Sequence, residues 1–363
     1  LDTTAFSSTN ANISVAAAYD FDNDGDLDLF IGGRSVPKEY GLTPPSYLFV
    51  NDGNGHFTDR TKTMSPEIAA IGMVTGAVWA DITGDAQKEL IIVGEWMTPK
   101  VFSFHKDHFE EVKTNFSNMY GWWQTVAVAD INADGKQDLL LGNIGENFYL
   151  RPDSSHPVKL WVSDFDQNGI TDKILTYTVE GKDKPVFLKH DLEDAMPFLK
   201  KKNLKHGNYA AKSVQELIPA EEMNKVVIKQ FNYSLSCVAI NKGNGQFSIQ
   251  PFPSMVQLSS VNAIHCMDIN EDGFMDIVLG GNQFDFQPQL ERLDASLGDV
   301  LINDGKGNFV WTEAAQTGLE LRGQLRDIAE IHGRKKKYLL FLQNDEYPVL
   351  YQLSDQSKNS KKK

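Results

Sequence analysis

The chain of 363 residues has only two cysteines, Cys237 and Cys266, too few for a disulfide framework to organise it. Both fall in strand-like runs of neighbouring units, where a thiol serves as a small buried apolar residue; one disulfide between them is the alternative. No apolar run is long enough to span a bilayer. Leu1 opens no signal peptide, so a leader has been removed or the segment never had its own. Positive charge is short: 35 Lys and Arg stand against 49 Asp and Glu, a net charge of -14. No face is evidently basic, which argues against general nucleic-acid affinity. Lys361-Lys-Lys363 reads as the end of a disordered tail, 354–363, rather than as a binding patch. Catalytic signatures are missing too. There is no Gly-x-Ser-x-Gly elbow, P-loop, His-Glu-x-x-His or Cys-x-x-Cys, and the eight histidines are scattered.

What the chain has in abundance is one acidic loop, repeated. Asp268-Ile-Asn-Glu-Asp-Gly-Phe-Met-Asp276 sets oxygen side chains at positions 1, 3, 5 and 9, a glycine at 6, and then the apolar run Ile277-Val-Leu. Oxygens on alternate residues converge on a hard cation only if the backbone curls, which the glycine permits, and the position-7 carbonyl supplies a further ligand. Strand-like residues flank the loop, so it reads as a calcium loop between two β-strands. The expected ligands are Asp268, Asn270, Asp272, Phe274 (carbonyl) and Asp276. The same grammar gives Asp20, Asp22, Asp24, Asp26 and Asp28, then Asp130, Asn132, Asp134, Lys136 and Asp138, then Asp164, Asp166, Asn168, Ile170 and Asp172. A weaker copy, Asp81, Thr83, Asp85, Gln87 and Glu89, keeps the oxygens but has Ala86 at position 6. Four to five Ca2+ ions are therefore expected. Four would bring the net charge to about -6, so the acidity is largely the signature of the ion sites.

A second element recurs: Leu48-Phe-Val-Asn51-Asp-Gly-Asn-Gly55-His-Phe57, and related runs ending at Phe247 and Phe309. Each reads as a strand, a tight Asn/Gly turn and a return strand, a hairpin and nothing more. Loop plus hairpin makes a four-stranded antiparallel unit, and its repetition points to a propeller rather than a sandwich. With these motifs in view the chain resembles the FG-GAP or VCBS repeat family, which includes the integrin α-subunit propellers, over nearly its whole length. The later half, with Arg292-Leu-Asp-Ala-Ser296 before the last hairpin, is similar to the carboxy-terminal part of large bacterial multi-repeat proteins. The ASPIC/UnbV module such proteins often carry is absent, which suggests a domain cut from a longer polypeptide or a shortened relative.

The expected fold is all-β: a propeller of six four-stranded blades, with seven as the alternative count, and a small helical insertion. It forms a single domain over 1–353, closed by its termini, with Thr4-Ala-Phe6 available as an outer strand for the last blade. The third and fourth loops lie close together, which implies a short third blade ending at Phe148-Tyr-Leu150. The insertion, 181–231, falls in the fourth unit, with short helices near Asp191–Leu199 and Ser213–Ile218. A sixth unit carries His332-Gly-Arg-Lys-Lys-Lys337 where a calcium loop would be.

Calcium loops join strands one and two and the hairpins join strands three and four, so both share one rim. The opposite rim is irregular and aromatic. Trp96, beside Glu95, follows an apolar strand at a turn ending in Pro99 and is expected to face outwards. Trp96, Trp122 and Trp123 suit a carbohydrate or protein partner; packing between blades is the alternative for the latter two. Arg34, Glu146 and Arg292 add charge recognition. The expected function is non-catalytic binding of a protein or glycan by a secreted, periplasmic or outer-surface bacterial protein, part of a larger polypeptide or surface complex. The alternative is a polysaccharide lyase on a calcium-bearing propeller, for which His105, Tyr120 and Arg322 offer a base and a cation at no telling spacing.

Overall fold

The computed structural model describes residues 10–202, 205–286, 292–334 and 336–354. Its strands form six antiparallel sheets. Sheet I contains β1 (Asn12–Tyr19), β2 (Asp28–Ser35), β3 (Tyr47–Asn51) and β4 (Phe57–Asp59) in that order. Sheet II runs β5 (Met73–Ala80), β6 (Glu89–Met97), β7 (Lys100–His105), β8 (His108–Glu111), with the short β9 (Gly121–Trp122) added to the end of β6. Sheet III begins with β10 (Thr125–Ala129) and β11 (Asp138–Gly142), and the chain then leaves it.

The excursion builds sheet IV: β12 (Val158–Ser163), β13 (Asp172–Val179), β14 (Lys182–Pro185) and, after five short helices between Lys189 and Met223, β15 (Val227–Phe231) on the free side of β12. Only then does sheet III resume, with β16 (Cys237–Asn241) on β11 and β17 (Phe247–Pro251) outside it. Sheet V runs β18 (Val261–Met267), β19 (Asp276–Gly281), β20 (Asp299–Asn303), β21 (Phe309–Thr312). Sheet VI has three strands among the described residues: β22 (Leu325–His332), β23 (Lys337–Gln343) and β24 (Val349–Gln352). The proposed closing strand Thr4-Ala-Phe6 and the tail from 355 onward lie outside the described residues.

This pairing corrects the reading of the third unit. Residues 148–150 form no strand; Phe148 and Leu150 are buried in the core between the excursion and the other sheets. The third sheet is complete, and its outer pair comes from residues expected in the fourth unit. The excursion therefore spans 143–236, more than the helical segment 181–231 alone.

Sheets I, II, III, V and VI pack in series through their first strands: β1 against β5, β5 against β10, β10 against β18, β18 against β22. A middle strand in such a stack has both faces covered, so it reads as an unbroken apolar run rather than an alternation. Strand β6, with Leu90-Ile-Ile-Val93, is buried at every residue. Sheet IV contributes no strand to that series; β15 packs on β6, and Gly41 in the β2–β3 loop approaches Leu160 and Val162 of β12. Its other face carries the helices, around Trp161, Met196, Leu199 and Val214.

Candidate metal loops and the aromatic cavity

All five acidic loops adopt one backbone. Position 4 takes a positive φ (Asn23, Ala133, Gln167 and Glu271, between 54° and 62°), and position 6 follows with glycine at 84–100°. In the weak copy the glycine has moved to position 4, and Ala86 carries the position-6 turn at φ 73°. The loss of glycine costs conformational strain, of order 1 kcal/mol, but keeps the curl. Position 1 holds it: Asp20, Asp130, Asp164 and Asp268 each accept the position-5 N–H at 3.0–3.1 Å and the position-6 N–H at 2.8–3.0 Å. Asp81 accepts instead from position 4, Gly84 N–H, and from position 6, Ala86 N–H.

Position 9 is the most buried carboxylate of the loops at Asp20, Asp130 and Asp268. Asp28, Asp138 and Asp276 are fully buried, and each accepts the N–H of position 2 and the N–H of the asparagine that opens the hairpin turn: Asn51 at 3.0 Å, Asn241 at 2.7 Å, Asn303 at 2.8 Å. Burial, first, and the other carboxylates push Asp28 up to about 6; burial also raises Asp138, Asp172 and Asp276. Glu89 replaces this group in the weak loop, buried and accepting from Ile82 N–H, Thr83 N–H, Thr83 Oγ1 and Ser103 Oγ. Carboxyl oxygens of Asp20, Asp22 and Asp28, and likewise of Asp164, Asp166 and Asp172, lie within 4.8 Å of one another. Two unit charges at that distance repel by roughly 3 kcal/mol at an effective dielectric constant of about 20. Hard-oxygen sets of this kind, half-buried throughout in the second and with Asp28 fully buried in the first, fit a divalent cation such as calcium.

The hairpin asparagines do more than turn the chain. Asn241 Nδ2 donates to the carbonyl of Ile82 at 2.9 Å, and Asn303 Nδ2 to that of Ile131 at 2.7 Å, each the position-2 carbonyl of the neighbouring sheet's loop. Sheet II has no such asparagine, and Gln87 Nε2 donates to Phe21 O instead, at 3.3 Å. The loops of sheets I, II, III and V are thus stitched edge to edge. The motif's asparagine was the only sequence signal for this, and it was indistinguishable from ordinary turn chemistry.

At the far ends of these strands the second strand of each unit finishes on a repeated pair: Gly33-Arg34, Gly94-Glu95, Gly142-Asn143, Gly281-Asn282. A Cβ on any of these glycines would stand within 2.3 Å of a facing carbonyl oxygen, so the pair brings the next residue hard against its neighbours. Asn143 and Asn282 are wholly buried and spend their amides on backbone groups. Asn143 binds Tyr233 O, Trp122 N–H and Ile144 N–H, pinning the root of the excursion. Arg34 and Glu95 instead face each other: Arg34 Nη2 donates to Glu95 Oε1 at 2.7 Å, and Tyr40 Oη donates to Glu95 Oε2 at 2.7 Å. Trp96 Nε1 donates to Tyr40 Oη at 2.9 Å. They line a cavity of about 340 Å³ with Trp122, Gln124, Lys173, Gln283 and Phe286.

Residues 20–92 and 81–141 match the model of the FG-GAP-like repeat. Residues 20–141 carry FG-GAP-like repeats. No curated protein matches the chain. Among solved structures, the V. cholerae biofilm matrix protein Bap1 aligns over 95% of this chain and 77% of its own, at 8% identity and a TM-score of 0.29. The loops at Asp164 and Asp268 lie outside the matched FG-GAP-like segment and keep the same hydrogen bonding.

The expected ligand-binding residues fare unequally. Trp96 was expected to face outwards from a turn ending at Pro99. It is 6% exposed, at φ 62°, because β9 pairs along β6 beyond Glu95 and the excursion covers the strand end. Trp123 is fully buried in the core between sheets II and III, so for it the packing alternative holds. Trp122 is half-buried and lines the cavity with Arg34. Glu146 is exposed at a separate cleft beside Arg151, and Arg292 is exposed, paired with Asp294 and stacked on Phe284. His105, Tyr120 and Arg322 are not brought together: His105 ends β7, Tyr120 precedes β9, and Arg322 pairs with Glu320 before β22. Tyr40, Lys173, Gln283 and Phe286, which meet at the cavity, carried no motif by which the sequence alone could single them out.

Proposed function

We propose that the chain is a calcium-stabilised β-propeller that binds a partner without catalysis, a protein or a glycan at the surface or in the periplasm of a bacterium. Sheets I, II, III, V and VI would follow one another around the axis, with sheet IV set across one mouth. The observation that carries the reading is the division of labour between the two ends of the strands. One end holds the hydrogen-bonded oxygen loops of sheets I, II, III and V; the other holds one aromatic cavity, lined in part by Lys173 next to the loop of sheet IV, at which a repeated structural asparagine has given way to Arg34 and Glu95. Calcium would be held by positions 1, 3, 5 and 9 and the position-7 carbonyl of each loop, and would supply charge neutralisation at the hinge between paired strands. Such sites suit compartments where calcium is plentiful, and no helix among the described residues is long and apolar enough to cross a membrane.

Against the lyase alternative stands the hydrogen bonding of the cavity tyrosine. Tyr40 gives its proton to Glu95, and burial holds its hydroxyl well above its ordinary range, the wrong direction for a base. The test is a pull-down or glycan-array capture in calcium, repeated with Trp122→Ala. A retained partner that is weakened by the substitution supports binding. An unsaturated, ultraviolet-absorbing product from an acidic polysaccharide would overturn it in favour of the lyase.

A further inference from the structure

We propose that the cavity beside Arg34 takes a single carboxylated sugar residue, a uronate at the end of an acidic glycan. The inference rests on the binding role proposed above and names its ligand. Arg34 commits one Nη2 donor to Glu95 and is still 37% exposed in its side chain, so the rest of its fork is free to face the cavity. Lys173, half-buried on β13 of the excursion, lines the same space and makes no ion pair with any described residue. The two cations come from different sheets and line one opening, where charge-assisted hydrogen bonds to a carboxylate are the strong ones. Glu95 already has Arg34 and Tyr40 on its two oxygens, so it does not compete for the ligand's charge. Asp285, an exposed carboxylate at the rim, acts on Arg34 through its charge and limits the site to one anion rather than a run of them.

The remaining walls fit a sugar body. Trp122 and Phe286, 6.2 Å between centroids and at 72°, offer an aromatic face and edge on which the C–H face of a pyranose packs. Gln124 and Gln283 place amide donors and acceptors at the same opening. About 340 Å³ lies at the small end of the range for ligand pockets, roughly 300–1,000 Å³. A protein partner instead needs about 800 Å² of shared surface per side, which a concave mouth roofed by sheet IV does not present.

The experiment is calorimetric titration of the calcium-loaded protein with oligogalacturonate, with the neutral galactose oligomer and with a Glu-rich peptide. Expected is binding of the uronate, at least tenfold tighter than the neutral sugar, and a tenfold or greater loss in Lys173→Gln with an unchanged melting curve. Arg34→Gln should lose as much, but it leaves Glu95 short of a partner, so Lys173→Gln is the decisive variant. Equal affinity for charged and neutral sugars, no binding at millimolar concentration, or full affinity in Lys173→Gln would overturn the proposal. Preference for the peptide over the sugar would overturn it in favour of a protein ligand, with the binder reading intact. Cleavage of the oligomer during titration would instead overturn that reading.

Discussion

Glu95 shows how one side chain can be over-determined. It is 2% exposed, and both oxygens are taken, by Arg34 and by Tyr40, whose own oxygen holds Trp96 in a left-handed conformation. Truncation strands a tyrosine hydroxyl and half of an ion pair, so Glu95→Ala should lower stability by about 1–3 kcal/mol in chemical denaturation, and Glu95→Gln by clearly less. Equal losses in the two variants would show that the carboxylate's hydrogen bonds are not what matters. The cysteines give a second test. Both are free thiols, Cys237 fully buried and Cys266 half-buried; burial pushes both up to about 12, so both should be alkylated slowly at pH 8, and Cys237 only on unfolding. Because the folded thiols hold their protons more tightly than unfolded ones, this contribution to stability is present below about pH 9 and is lost as pH climbs towards 12. Rapid labelling of native protein at pH 8 would contradict the burial.

At the scale of the element, the acidic loop was legible because its chemistry is local: nine residues carry the ligands, the turn and the entry to the next strand. What lies beyond nine residues was not. The asparagine that reaches Ile131 O from β20 looks like any turn former, and no periodicity announces that its partner is on another sheet. Asn303 also donates to Met275 O and accepts from Gly305 N–H and Gly307 N–H, so Asn303→Ala should cost about 2–4 kcal/mol, well beyond a surface turn substitution. Asn54→Ala in the first hairpin, where the asparagine bonds only Asp52 within its own turn, should cost less than about 1 kcal/mol. Similar losses at the two sites would mean that the cross-sheet bonds contribute little. Trp96 was misplaced for a related reason: an aromatic after an apolar strand faces out only if nothing pairs with the strand's end, and β9 does.

For the molecule as a whole, the loops predict a calcium-dependent melting curve. Chelation leaves carboxylates within 4.8 Å of one another with only backbone N–H groups to offset them, so the unfolding temperature should fall by several degrees. Asp20→Ala or Asp268→Ala should each reproduce part of that fall, and Asp81→Ala less. A melting curve indifferent to chelator would mean that the loops are held by their own hydrogen bonds alone. The all-β class and the repeat were readable from the spacing of the loops; the path of the chain was not. Two loops close together suggested a truncated unit, whereas the third sheet is interrupted and finished later, a choice that depends on strand pairing over a distance no local pattern records.

That interruption has a bearing on how the molecule is born. Strands β10 and β11 leave the ribosome as an isolated hairpin, and β16, which completes their pairing, follows only after residues 143–236 have been made. At about 5–20 residues per second, the hairpin waits on the order of 5–20 s with the edge of β11 unpaired and Leu140, which packs against β16 and sheet V, uncovered. During that interval the excursion can form its own sheet and helices, since β12 to β15 pair among themselves. Nascent chains arrested with residue 232 just clear of the exit tunnel should therefore protect 158–231 from protease while 125–142 is still cut, and protection of β10 and β11 should appear only once residue 251 has cleared the tunnel. Protection in the opposite order would show that the excursion depends on a finished third sheet to fold.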